Sequence, residues 1–400
     1  ELPGYKYIGI FSDSMPDLNY SSEALQEDMK NVAKFWLDMG IDGFRLDAAR
    51  HIFGDFYSNI YNDYIAEENQ SFWEDFRSDI VAEYPNAYLV GEVWEKNTDN
   101  MVPFISEGAL DSTFDFNLAN KIYEAVSNES TAYDPSAVDP ENQLSQDNDL
   151  NIVSDLVSFY NKIGEASNYN FIDCPFSTNH DQNRIMSLFK YQFDPEATDI
   201  NVANPLKDES EQLILREDAD KAMDHAKVAS SLLLTMPGRP FIYYGEEVGL
   251  DGVKPDSSIR ECMPWYEEPF NADGSAKEGL ANYGETLYSV GGEASVEAQI
   301  DQPDSLYAHY EEVIHARKRI PALMNGDIDE YNLDSQQIIS YIRMTEDQRV
   351  LVVVNLSGET LTQELVQDPN YGSFHRVLFQ SSQDSISQLN DSTLTLAPYS

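Results

Sequence analysis

The chain has 400 residues, 42% hydrophobic and 12% aromatic, with 25 basic residues against 71 acidic ones for a formal net charge of −46. Such a charge excludes nucleic acid and anionic membranes as partners, because both would be repelled. The apolar and aromatic content excludes an acidic disordered chain and suffices for a large core in more than one domain.

An acid-coated globular protein tolerates its self-repulsion where salt screens it, so a saline, extracellular or periplasmic setting is expected. Cys174 and Cys262 are too few for a disulfide framework and are read as free thiols. There is no run of about 18 apolar residues, so no membrane insertion is expected. No signal peptide is visible, and the first residue is Glu1 rather than Met, which points to an N-terminus that was processed or cut away.

In chain order, residues 22–39 predict an amphipathic helix. Ser22 caps it, Glu23 sits in its first turn, and Leu25, Met29, Val32, Trp36 and Leu37 recur at helical spacing until Gly40 stops it. The stretch Gly43-Phe44-Arg45-Leu46-Asp47-Ala48-Ala49-Arg50-His51 follows as a short strand that ends in charge. Phe44 and Leu46 share one face, Arg45 and Asp47 the other. An adjacent guanidinium favours the ionised carboxyl, so this strand end suits an acid held ready for chemistry; a purely structural ion pair is the alternative.

A helix over 71–83 comes next, and Pro85-Asn86 turns the chain into Tyr88-Leu89-Val90-Gly91-Glu92, a second apolar run ending in an acid. A short helix over 101–107, a strand over 112–116 and helices over 118–127 and 152–165 follow. The strand 171–176 runs into Asn179-His180-Asp181, and a long helix over 218–235 leads to Pro240-Phe241-Ile242-Tyr243-Tyr244-Gly245. Short apolar strands alternating with helices predict a parallel sheet with helices outside it. The acids sit at strand ends, where a (β/α) barrel carries its active site. After a helix over 305–319 the pattern turns to β runs at 338–343 and 350–355, which predicts a small antiparallel β domain from about 327 onward. Two polar, acid-rich stretches, 130–149 and 191–217, read as surface excursions.

Three strand ends thus deliver Asp47, Glu92 and Asp181. Glycoside hydrolysis needs two carboxyl groups flanking the bond, one ionised and one protonated. Asp47 has Arg45 beside it and suits the first role. Glu92 has no basic neighbour on its own strand and is expected near negative charge, which suits the second. Asp181 is placed to bond sugar hydroxyls, and His180 to donate to a sugar oxygen. Read singly, Glu92 is equally a strand-end acid capping a helix, and His180 a satisfied core histidine. No glycine-rich phosphate loop and no His/Cys cluster with metal spacing is present.

Gly43–His51, Gly91-Glu92-Val93-Trp94 and Ser177-Thr178-Asn179-His180-Asp181 resemble three signature regions of the alpha-amylase family, glycoside hydrolase family thirteen, in the family's order. Met15-Pro16-Asp17-Leu18-Asn19 resembles a fourth, in the form found in the group intermediate between oligo-1,6-glucosidases and neopullulanases. The segment 237–249, with its Tyr-Tyr-Gly-Glu-Glu core, resembles the last barrel strand and its loop. The resemblance implies an α/β fold: a TIM (β/α)8-type barrel with strands four to eight present, and a C-terminal antiparallel β-sandwich. It divides the chain into the tail of an inserted domain (1–20), a partial catalytic barrel (21–325) and a β domain (326–400).

By the same resemblance Asp47 is the nucleophile, Glu92 the general acid and then base, and Asp181 the stabiliser of an oxocarbenium-like transition state. Arg45 holds Asp47, His180 contacts the sugar being cleaved, and Arg50 and His51 contact sugar on the leaving-group side. Trp94 and Trp265 are candidates to stack on sugar faces, buried packing being the expected state of Trp265. Two displacements give retention, with catalytic carboxyls expected about 5–5.5 Å apart. No catalytic cofactor is implied; a structural calcium is, with the His51 backbone carbonyl as its candidate ligand. The family's first signature region, on the third strand, is absent, which predicts an open sheet edge, an exposed core and a longer natural protein.

The expected activity is retaining hydrolysis of α-1,4 bonds in starch or malto-oligosaccharides, with transglycosylation as a further capacity, by a monomer. Ala48-Ala49 after the nucleophile resembles α-1,4-cleaving members more than 1,6-specific ones. The alternatives are an α-glucosidase, an oligo-1,6-glucosidase or a glucosyl-transferring isomerase and, in another class, a non-catalytic sugar-binding or chaperone-like relative. The charge supplies its own test. Raising salt from about 0.1 M to about 1 M should raise the Tm, because the Debye length shrinks from about 10 Å to about 3 Å; a Tm that stays level or falls would contradict a surface suited to salt.

Overall fold

A computed structural model of the chain describes residues 7–53, 63–95, 97–131, 152–167, 171–197, 199–275, 277, 288, 291–365, 371–381 and 387–400. These fall into two compact units, Glu1–Asn117 with Ser158–Cys174 and Leu118–Val157 with Pro175–Ser400.

In the first unit, α1 (Glu23–Asp38) leads to β1 (Gly43–Leu46), α2 (Asp63–Glu83) to β2 (Tyr88–Gly91), and α3 (Thr98–Met101) to β3 (Ser112–Thr113). The strands form a parallel sheet in the order β1-β2-β3, and a parallel bridge from Phe114 to Cys174 extends the pattern. Gly43 is required by the close approach of β2, since a Cβ there would lie 1.9 Å from the Tyr88 carbonyl oxygen. The core under the sheet gathers Ala33 and Leu37 of α1, Phe72, Trp73, Phe76 and Ile80 of α2, and Leu89, Val93 and Leu110.

The predicted face of α1 is only partly the buried one. The helix buries Ala33 and Leu37 and pairs Lys34 with Asp79 and Glu83 of α2, at 2.7 and 2.6 Å. Val32, Phe35, Trp36 and Met39, spaced i, i+3, i+4, i+7, form a second apolar stripe that stays exposed. β1 has a partner strand on one side only among the described residues. The described strands do not close on themselves.

α4 (Phe116–Ser127) and α5 (Ile152–Ser167) each contribute residues to both units. In the second unit a parallel bridge pairs Phe176 with Phe241. Around it lie α6 (Ile185–Lys190), α7 (Ala222–Thr235), α8 (Asp256–Ile259), α9 (Val296–Gln299), α10 (Leu306–Arg319) and α11 (Pro321–Asn325). The segment 191–217, read as a surface excursion, is laced by antiparallel bridges at Tyr191–Leu215, Phe193–Pro205 and Lys207–Leu213. Most of the polar stretch 130–149 lies outside the described residues.

The C-terminal β region matches its expectation. β4 (Asp327–Glu330), β5 (Ile338–Met344) and β6 (Arg349–Asn355) form one antiparallel sheet. β7 (Leu361–Glu364), β8 (Gln388–Asn390) and β9 (Thr393–Leu396) form another, in the order β7-β9-β8. Ile342 and Leu351 from the first sheet and Leu361 and Leu396 from the second share one apolar core, which makes the pair a sandwich. Cys174 is buried and Cys262 exposed, both free thiols. No described helix is long and apolar enough to cross a membrane.

α10 packs on α7 through His309, whose Nε2 donates to the Lys227 carbonyl at 2.9 Å and lies 3.0 Å from Ser231 Oγ. Burial, and then the Lys227 charge, push this imidazole from its ordinary 6.5 down to about 4. Between those values the unfolded chain takes up a proton that the folded chain refuses. The group therefore contributes stability that is fully present above pH 6.5 and is lost as pH falls toward 4. In urea melts at about pH 4 and about pH 7, His309→Gln should lose less unfolding free energy on acidification than the wild type; equal losses would show that His309 does not titrate this way.

Candidate active site

The parallel register sets Arg45 opposite Val90 and Leu46 opposite Gly91, so the ends of β1 and β2 lie side by side. Arg45 and Asp47 project to one face of β1, and Nη1 of Arg45 donates to Asp47 Oδ1. Nη2 of the same guanidinium lies 2.7 Å from Glu92 Oε1. Glu92 Oε2 accepts the Ala48 amide at 3.1 Å, its carbonyl accepts the Ala49 amide at 2.9 Å, and its own amide donates to the Leu46 carbonyl at 2.9 Å. Ala48 takes φ 45°, a left-handed conformation unusual for a residue with a side chain. The chain therefore turns sharply just after Asp47, and Glu92 fastens that turn through both side chain and backbone.

The two acids differ in setting. The Asp47 side chain is 77% exposed, while that of Glu92 is 10% exposed. An open carboxylate beside a recessed one, both on one arginine, suits an attacking group and a proton-handling group. Glu92 has no basic neighbour on its own strand, as the sequence indicates, but Arg45 reaches it from the adjacent strand.

After the turn, Ala49–His51 form a 3₁₀ turn. Arg50 does not face open space. It is buried, with Nη1 2.9 Å from Glu95 Oε2 and 2.8 Å from the Trp94 carbonyl, and its own carbonyl accepts from Asn69 Nδ2 at 3.1 Å. The structure places Arg50, a candidate sugar contact, in an internal ion pair. Glu95, which also accepts from the Asn97 amide at 2.9 Å and Asn100 Nδ2 at 3.0 Å, is the residue that sequence reasoning missed. Its only signal was an acid three residues after Glu92.

His51 is half-buried, edge-on to Phe11 with centroids 5.6 Å apart. Burial, then the Arg50 charge, push its imidazole down to about 4 against the pull of Asp17, so it is neutral at ordinary pH. Trp94 stacks on Phe116 at 4.8 Å and 20°, so one of its faces is occupied. For the calcium that the resemblance implies at the His51 carbonyl, calcium prefers about 6–8 oxygen ligands. Among the described residues no group of three or more His, Cys, Asp or Glu converges to hold a metal.

The second unit carries the third acid. Ser177, Thr178, Gln182 and Asn183 are buried, which leaves Asn179, His180 and Asp181 as the accessible part of this turn. His180 Nε2 lies 3.0 Å from Asp181 Oδ2, so the histidine is a partner of the acid and not a core residue. Arg260 Nη2 lies 2.5 Å from Asp181 Oδ1 and 2.9 Å from Asp256 Oδ2, and its Nε donates to the His180 carbonyl at 2.8 Å. Arg260, 79 positions downstream of Asp181, was invisible to motif reading. Trp265 follows on an exposed stretch and is itself 54% exposed, contrary to the buried packing expected of it.

Arg45, Asp47, Glu92, Arg50, His51 and Trp94 thus belong to the first unit and His180 and Asp181 to the second. A model of the alpha-amylase catalytic domain matches residues 4–206 and 211–326, and a model of the alpha-amylase SusG C-terminal domain matches residues 338–400. Alpha-amylase 3 of Dictyoglomus thermophilum is 31% identical over 360 residues, covering 88% of this chain and 57% of that protein. Alpha-amylase SusG of Bacteroides thetaiotaomicron is 25% identical over 418 residues, covering 99% of this chain and 50% of that protein. A crystal structure of an alpha-amylase from H. orenii superimposes with TM-score 0.71 at 29% identity, over 98% of this chain and 66% of that one. Further curated relatives carry the names trehalose synthase/amylase, 4-alpha-glucanotransferase and oligo-1,6-glucosidase. The chain spans between half and three fifths of the length of the first curated relatives it matches.

The Arg50–Glu95 pair is testable by itself. Glu95→Ala takes the carboxylate from a buried guanidinium and should cost about 3 kcal/mol in denaturant unfolding; a loss under about 0.5 kcal/mol would show that water or another acceptor replaces Glu95.

Proposed function

The chain belongs to the alpha-amylase family of glycoside hydrolases, and from that membership we propose that its Arg45–Asp47–Glu92 centre performs retaining cleavage of α-1,4-glucosidic bonds in starch or malto-oligosaccharides. The observation that carries the proposal is one guanidinium shared by an exposed and a recessed carboxyl at adjacent parallel strand ends.

In the first displacement an Asp47 oxygen attacks the anomeric carbon while Glu92, carrying a proton, passes it to the departing glycosidic oxygen. A covalent glycosyl–Asp47 ester results. In the second, the Glu92 carboxylate takes a proton from water, the water oxygen attacks the same carbon, and the Asp47 carboxylate leaves. Two inversions restore the α-configuration. Arg45 orients Asp47 between turnovers. Asp181, oriented by Arg260 and His180, bonds the sugar hydroxyls of the flattened ring in the transition state, a role that rests on the family resemblance.

The small Ala48-Ala49 pair after Asp47 supports α-1,4 preference. The relatives named as a glucanotransferase and as an oligo-1,6-glucosidase support a second reading, in which a sugar hydroxyl takes the place of water or the 1,6 bond is the one cleaved. The net charge of −46 supports a saline, extracellular setting. A monomer is the proposed state.

Asp47→Asn and Glu92→Gln should each abolish glucan hydrolysis, by a factor of at least about 10³, with unchanged far-UV circular dichroism. Near-normal activity in either variant would overturn the assignment. Product profiles on amylose, isomaltose and sucrose separate the readings: short malto-oligosaccharides from amylose support the first, and glucose from isomaltose supports the second.

A further inference from the structure

The turn that carries Asp181 is held from beneath by a carboxyl group that the chemistry above does not use. Glu246 lies in Tyr243-Tyr244-Gly245-Glu246-Glu247, just past the bridge that sets Phe241 beside Phe176. At Gly245 the chain takes φ 89°, and a Cβ there would lie 2.7 Å from Leu250 Cδ2 and 3.2 Å from Arg184 Nη1. Only glycine permits that turn, and the turn carries Glu246 inward until it is 2% exposed. Its Oε1 accepts Thr178 Oγ1 at 2.7 Å and the Thr178 amide at 3.2 Å.

Arg184, fully buried, fastens the other end of the same turn. It lies over the rings of Tyr243 and Tyr244, 4.3 and 4.8 Å from their centroids. Its Nη1 donates to the Tyr244 carbonyl at 2.6 Å and its Nε to the Ile259 carbonyl at 3.1 Å. His180 and Asp181 lie between these two anchors, and Arg260, the partner of Asp181, directly follows the residue that Arg184 holds. Both halves of the Asp181–Arg260 pair are therefore referenced to the Tyr243–Glu247 segment.

An acid in this place is costly. Burial pushes Glu246 up to about 7, against the Thr178 bond and the Arg184 charge, and its Oε2 has no hydrogen-bond partner among the described residues. A site that needed only packing would be better served by an apolar side chain. What the carboxyl adds is an acceptor aimed at Thr178, three residues before Asp181.

We propose that Glu246 is a positioning residue for Asp181, holding the 178–181 turn through Thr178 so that the Asp181 carboxylate stays in place against Arg260. The inference rests on the reading of Asp181 as the transition-state-stabilising acid. Thr178→Val keeps the shape and removes the Oγ1 donor. It should lower kcat about 10- to 100-fold with KM changed less than about threefold, since displacement of a catalytic group acts mainly in the transition state. Thr178→Ser, which restores the donor, should return kcat to within about threefold of wild type. Glu246→Gln keeps the acceptor and should behave like Thr178→Ser, while Glu246→Met should behave like Thr178→Val; this second pair decides the matter if Thr178→Val does not fold. A lowered Tm with unchanged kcat in the valine and methionine variants, or a kcat loss that serine and glutamine do not repair, would overturn the inference. Asp181→Asn run in parallel keeps the two ideas apart: if it retains full kcat the reading of Asp181 fails, whatever Thr178 does.

Discussion

The site depends on one guanidinium placed between two carboxyl groups from neighbouring parallel strands. Two carboxyl groups converging at strand ends are in electrostatic conflict unless a cation lies between them. Arg45 removes that conflict by pairing with Asp47 on its own strand and with Glu92 on the next. Parallel pairing makes this possible. It brings the carboxyl-terminal ends of β1 and β2 to one edge, and the register that sets Leu46 against Gly91 leaves Asp47 and Glu92 one step beyond it. Gly43 permits the strands to lie that close, so a residue with no side chain at the start of β1 supports the chemistry at its end.

In each unit the chain spends polar groups on position. Glu92 holds the left-handed turn at Ala48, Glu95 holds Arg50, Arg260 holds Asp181, and Glu246 holds Thr178. Each is hydrogen-bonded to the segment it fixes, which would otherwise be free to shift. Such groups contribute less to stability than apolar packing would, which is consistent with their use in fixing geometry.

Features set by local chemistry were legible in the sequence. The period of two along 44–47 placed Arg45 and Asp47 on one face, and the alternation of short apolar runs with helices announced the parallel sheet. The β runs after 327 were equally plain. Features set by register and long-range partners were not. Nothing within 88–92 reveals that Arg45 will reach Glu92, because the register of one parallel strand on another is not written in either strand. The burial of Arg50 depends on Glu95, 45 positions away. Arg260 and Glu246 lie still farther from the turn they serve. The helical spacing in α1 was real, but periodicity alone does not say which of two apolar stripes meets the core, and Trp36 and Val32 fell on the open one.

Relatives of this chain carry the names of alpha-amylases, a trehalose synthase/amylase and a 4-alpha-glucanotransferase, and the retaining cleavage proposed for this chain passes a sugar through a carboxylate of the enzyme. Whether Asp47 is that carboxylate is best measured by trapping. An activated fluorosugar of α-glucosyl configuration, whose enzyme ester hydrolyses slowly, should add one glycosyl mass to the chain. Peptide mapping should place it on the peptide that carries Asp47. A label found on Glu92 or Asp181, or no label together with a first-formed product of β-configuration, would contradict a retaining mechanism through Asp47.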